Sequence, residues 1–159
     1  MAGYVRADKL EEVSKMLSQL DSGAADIAAA ALYKGAGVVA DAFTRAVNDI
    51  RTQRFFYAQN GRTRLASPEE KEALNGKTGI ARFRGSGGEI DTIVGLQNAG
   101  YATVNGNRKP VAVIARSINS GTSFMEKQPV FRRAASKAKK EASEAIVREA
   151  ERQIKERTK

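Results

Sequence analysis

Apolar residues recur at helical spacing in four stretches of the chain and alternate with polar residues in a fifth. In the first stretch Leu10, Val13, Leu17 and Leu20 follow Asp8, an N-cap candidate with Glu11 at the capping-box position. Asp21-Ser22-Gly23 ends that helix. The second runs from Ala24 to about Asp49, with a stripe of Ala28, Leu32, Val39, Phe43, Val47 and Ile50. Ala31, Gly35, Val38 and Ala42 lie beside it. A glycine inside a helix costs roughly 1 kcal/mol relative to alanine. Gly35 and Gly37 are therefore expected where another backbone comes close, with a hinge as the alternative.

Ser67-Pro68-Glu69-Glu70 combines an N-cap, a proline at the first helical position and a capping-box glutamate; Asn75-Gly76 stops the short helix it predicts. Two strands follow, Ile80 to Arg84 and Glu89 to Gln97, around a hairpin turn at Gly85-Ser86-Gly87-Gly88. No Gly-Lys-Ser/Thr ending follows those glycines, so they do not make a nucleotide loop. Tyr101 to Val104 is a third, shorter strand, ended by Asn105-Gly106. After Pro110, the residues Val111, Ile114, Ala115 and Ile118 have helical spacing, with Gly121 as C-cap; an alternating strand competes. The last helix spans 129–157, with Phe131, Ala135, Ala138, Ala142, Ile146, Ala150 and Ile154 as its stripe. These elements predict one α+β domain over residues 1–159. A small antiparallel β-sheet packs against two long Ala-rich α-helices, with an additional N-terminal helix and an extended arm.

Composition narrows the chemistry. The 159 residues contain no Cys and no His, which removes disulfides, thiolate nucleophiles, imidazole bases and ordinary zinc sites. Catalysis by Asp, Glu and Lys stays open, without a suggestive constellation. No cofactor is expected. No uncharged apolar run of 18 residues occurs, and Met1 to Arg6 lacks the apolar core of a signal peptide, so a cytoplasmic, non-enzymatic protein is expected. With 27 Lys+Arg against 18 Asp+Glu the net charge is +9, which suits an acidic partner. From Lys127 onward the chain holds 11 basic and 5 acidic residues and supplies +6 of that charge.

Residues 51–66 change character. Arg51, Arg54, Arg62 and Arg64 surround Phe55-Phe56-Tyr57, and Asn60-Gly61 marks a tight turn. Arginine with aromatics serves base stacking and phosphate binding. It serves equally as an arm docking on a neighbouring subunit, and the protruding arm is the preferred expectation.

The stretch from Asn119 to Ala134 organises these elements. Gly121-Thr122 leads through a short polar segment to Gln128-Pro129, and the terminal helix opens with Phe131 and Arg132. This order resembles the tail-completion or head–tail joining components of long-tailed bacteriophages. In that family a segment ending in Glu-x-Gly-Thr precedes Pro-x-x-Pro-Phe-Leu-Arg-Pro-Ala and a terminal helix. Here Asn119 replaces the Glu, Val130-Phe131 the Phe-Leu, and Arg133 the second Pro. Thr78-Gly79, before the first strand, extends the resemblance, which covers roughly residues 77 to 140. It implies a virion protein at the head–tail junction, present in host cytoplasm during assembly. It further implies a hexameric ring around the channel for genomic DNA, contacting a head-closure protein and a tail terminator, with no membrane partner. Within the phage reading, a tail terminator or a head-closure protein is the alternative. Outside it, the rival is a basic nucleic-acid-binding protein gripping phosphates with the arm and terminal helix.

Overall fold

A computed structural model describes residues 23–54, 63–82, 84–86, 89–96 and 100–157. The expected N-terminal helix lies outside these residues, as do the glycines at 87–88. The architecture is α+β, with four helices and three short antiparallel strand pairs among the described residues.

Helix α1, Ala24–Asn48, buries Ile27, Ala31, Gly35, Ala36, Val39, Phe43, Ala46 and Val47. Its core-facing line therefore starts at Ile27–Ala31–Gly35, one residue away from the expected Ala28–Leu32. Alanines at 28 to 31 give the helical period little contrast, and the bulky Ile27 decides which side turns inward. Helix α2 is short, Pro68–Glu72, and both halves of its capping box form. The Glu70 N–H donates to Ser67 Oγ at 3.1 Å, and the Ser67 N–H donates to Glu70 Oε2 at 2.9 Å.

The two expected strands are each broken once. Strands β1, Thr78–Ile80, and β2, Arg84–Ser86, pair with β4, Val94–Leu96, and β3, Glu89–Asp91, respectively. Ile80 pairs with Val94 but Arg84 with Asp91, so between these two pairs the first strand counts one residue more than the second. One extra residue on one strand is the count of a β-bulge, which ends strict alternation locally. The Ala81 N–H to Ile93 carbonyl bond, at 2.7 Å, and the Thr92 hydroxyl to Ala81 carbonyl bond, at 2.9 Å, carry the hairpin across the break. Strands β5, Tyr101–Val104, and β6, Asn107–Pro110, form a second hairpin. Its turn, Asn105-Gly106, has φ of 49° and 74°, and positive φ at both residues suits the right-handed twist of paired strands. Strand β6 was not expected, because Asn-Arg-Lys-Pro carries no apolar alternation.

Helix α3, Val111–Ser120, is a helix and not the competing strand, with Val111, Ile114, Ala115 and Ile118 buried. Gly121 follows it at φ 75°, ψ 169°. The positive φ favours glycine, but the ψ is not that of the expected left-handed cap. Helix α4, Val130–Arg157, buries Phe131, Ala138, Ala142, Ile146 and Ala150, with Ala135 and Ile154 partly covered.

Helices α1 and α4 pack antiparallel. Gly23 lies against Arg157 at one end, and the Phe43 and Phe131 rings meet edge to face at 5.5 Å toward the other. Between them Gly35 faces α4 directly. A Cβ there would stand 2.4 Å and 2.7 Å from Ile146 Cγ1 and Cδ1, and 3.0 Å from the Ala142 carbonyl oxygen. Gly35 is thus a close-approach position, as expected. Gly37 is not, since a Cβ added there meets nothing within 4 Å. Over 18 residues α1 reaches a mean hydropathy of 1.2, long and apolar enough by composition to cross a membrane. Here its apolar face is the core of the fold, shared with α4 and the β1–β4 hairpin.

Candidate functional site

Residues 121–129, between α3 and α4, have no regular structure, yet their backbone is tied at almost every step. Thr122 turns the chain, its hydroxyl accepting from the Met125 N–H at 3.0 Å. Met125 is buried. On either side of it the Arg64 N–H donates to the Phe124 carbonyl and the Glu126 N–H to the Arg64 carbonyl, both at 2.8 Å. The Gln128 N–H then returns to the Ile118 carbonyl of α3 at 2.8 Å.

Gln128 makes the longest-range tie. Its buried side-chain amide accepts the Arg51 N–H at 2.9 Å and donates to the Arg51 carbonyl at 3.0 Å. A primary amide offers one acceptor and two donors, so it can occupy both backbone groups of one residue as a neighbouring strand would. The Arg51 guanidinium, largely exposed, pairs with Glu126. Replacing Gln128 by Leu is expected to leave both Arg51 groups without this partner and to destabilise the fold by about 2 kcal/mol. Chemical denaturation measures it, and an unchanged midpoint would show that the amide pairing contributes nothing.

The base of the predicted arm is built into the same block. Thr52 bridges Ala66, the Gln53 N–H donates to the Ala66 carbonyl at 2.9 Å, and the Leu65 N–H donates to Gln53 Oε1 at 2.8 Å. Lys71 Nζ reaches the Asn48 and Ile50 carbonyls at 2.8 and 3.1 Å, covering the end of α1. Below the base lies a buried ion pair. Arg64 and Glu70 side chains are each 3% exposed, and the guanidinium grips both carboxylate oxygens, at 2.6 and 2.7 Å. Burial alone would raise the Glu70 carboxyl. The Arg64 hydrogen bonds, the Ser67 N–H and the charges of Arg64 and Lys109 outweigh it and hold the group below its ordinary value.

The sequence-predicted positions separate accordingly. Arg51 and Arg54 are exposed at the foot of the arm. Phe55, Phe56, Tyr57 and Arg62 lie outside the described residues. Arg64, grouped with them as a surface contact, is instead an interior residue, because Glu70 compensates its charge there. Thr78 and Gly79 sit in β1, paired with Leu96 and Gly95. Gly121, Thr122, Gln128 and Pro129 form the tied linker, and the Pro129 carbonyl accepts the Arg133 N–H at 3.0 Å to start α4. Phe131 is core and Arg132 is exposed on α4. Asn119, at the position of the family's Glu, is buried, and its Oδ1 has no hydrogen-bond partner among the described residues. The roles of Glu126 and of the Gln128 amide had no signal in the sequence beyond polarity. Among the described residues no three His, Cys, Asp or Glu side chains gather to hold a metal ion. Compared with protein families, curated proteins and solved structures, the chain finds no match.

Proposed function

We propose that this chain is a virion structural protein of the phage head–tail junction, one copy of a six-fold ring around the DNA channel. It would be made in host cytoplasm and contact a head-closure protein and a tail terminator. It acts by joining surfaces and turns over no substrate. The observation that carries this reading is the tied linker. The segment bearing the family resemblance holds α3, the arm base and the start of α4 together through Gln128, Met125 and Glu126. The arm base and the start of α4 therefore belong to one tied block, which fixes where each element offered for contact begins, as a ring subunit requires.

Electron microscopy of particles assembled without the chain tests the proposal. DNA-filled heads and separate tails are the expected result, or tails left unfinished. Normal joined, infectious particles would overturn it.

A further inference from the structure

The charges of α4 are segregated along its length. Lys127, Arg132, Arg133, Lys137, Lys139 and Lys140 are all exposed, with no acidic residue among positions 127–140. Residues 141–157 hold five acidic and four basic side chains. There the charges neutralise one another: Arg152 bridges Glu149 and Glu156 at 2.6 and 2.7 Å, and its hydrogen bond holds the Glu149 carboxyl down to about 2. Among the described residues none of these six cations, Lys127 just before α4 and the five in its first half, is in a salt bridge.

This is the unfavourable end of a helix for positive charge. The helix dipole is positive at its N-terminus and favours acids there, yet α4 has none in its first turn and places Arg132 and Arg133 in it. Arg133, Lys137 and Lys140 also fall at i, i+4 and i+7, one stripe of like charges on the side away from the core. Arg132 and Lys139 flank it, and the five span about 12 Å of helix axis. From α1, Arg45 joins Arg133 and Lys137 around a groove of about 380 Å³, whose acidic members are Asp49 and Glu141. Asp49 and Glu141 border the groove, but among the described residues neither forms a salt bridge with these cations, so an external polyanion is their natural complement. The partner class follows from what the stretch lacks. Its one aromatic, Phe131, is buried, so the stretch offers bases no exposed ring to stack on. A rigid row of cations instead matches the dense, regular phosphates of a duplex.

We propose that the first half of α4, with Arg45, is a sequence-independent contact surface for the phosphate backbone of duplex DNA. This names the face that meets the DNA within the junction reading and rests on that reading only for the source of the polyanion. The test uses the purified full chain and a short mixed-sequence duplex over a series of salt concentrations. R133Q/K137Q/K140Q is compared with R148Q/R152Q/K155Q, which removes the same charge from the second half; circular dichroism confirms that both fold. The first triple is expected to lower the slope of log affinity against log salt by about 2–3, with at least a ~10-fold loss of affinity at low salt. The second leaves the slope near wild type. Equal losses from both triples would overturn the proposal, as would tighter binding of single strands or equal displacement by polyglutamate of matched charge. A chain that ignores DNA, yet whose absence leaves heads and tails apart, overturns this inference and spares the junction reading. DNA binding by a chain that particles do not need does the reverse.

Discussion

Arg64→Met is expected to destabilise the protein by about 3–5 kcal/mol, since it strands the Glu70 carboxylate in the interior. The double variant Arg64→Met/Glu70→Gln should recover much of that loss, because glutamine keeps an acceptor for the Ser67 N–H and carries no charge. The pH dependence separates the variants more sharply. In the wild type the Glu70 carboxyl is held below 4.5, its ordinary value. Its stabilising share is complete above that value and is lost as pH falls through the lower, folded one. Without Arg64, burial dominates and raises the carboxyl. The sign then reverses, and stability falls as pH rises from the ordinary value through the raised one. Urea denaturation at pH 4 and pH 7 would show it: R64M gains relative to wild type on the acid side. Parallel pH profiles for the two proteins would refute the buried pair.

The second large effect concerns two glycines two residues apart. Gly37→Ala should stabilise by about 0.5–1 kcal/mol, the gain in helix propensity at a position with open space around it. Gly35→Ala has the same gain but drives a methyl into Ile146 and the Ala142 carbonyl. Ile146 is itself buried, and the carbonyl moves only with the α4 backbone. Overpacking of this kind costs about 1–3 kcal/mol, so Gly35→Ala should be net destabilising and Gly35→Val worse, near the upper figure. For a chain of this size each kcal/mol moves Tm by about 2–4 °C. Thermal scans of the three variants should therefore place Gly37→Ala above wild type and both Gly35 variants below. A Gly35→Ala protein as stable as Gly37→Ala would mean that the helices do not approach as closely as described.

Much of this was legible from pattern alone. Helices α1 and α4, the capping box at Ser67 and Glu70, helix α3 and the close approach at Gly35 follow from spacing and from residues with one dominant conformational use. The face of α1 was off by one residue where alanines outnumber bulky side chains, since the helical period shows only where sizes differ. Strand β6 stayed hidden because its stability comes from the Asn105-Gly106 turn and not from its own side chains. The candidate site was least legible. Arg64 among other arginines looks like surface, and only the fold, by bringing Glu70 to it, makes it interior. Gln128 reads as a polar linker residue, and what distinguishes it is a partner at Arg51, far away in the chain. Pairings across such distances leave no mark on local pattern.

The antiparallel match of α1 with α4 also constrains how the chain is made. On the ribosome α1 emerges early, whereas the helix that covers its apolar stripe begins only at Val130. At ~5–20 residues per second this interval lasts on the order of 5–20 s. Throughout it the nascent chain carries the apolar stripe of α1 without the helix that covers it in the fold. The hairpins synthesised in between can shield only part of it, because Ile27 and Ala31 are buried with Ile146 and Ala150 in a separate cluster. Translation that stops before residue 130 therefore releases a product with this stripe uncovered, a substrate for chaperones and proteases.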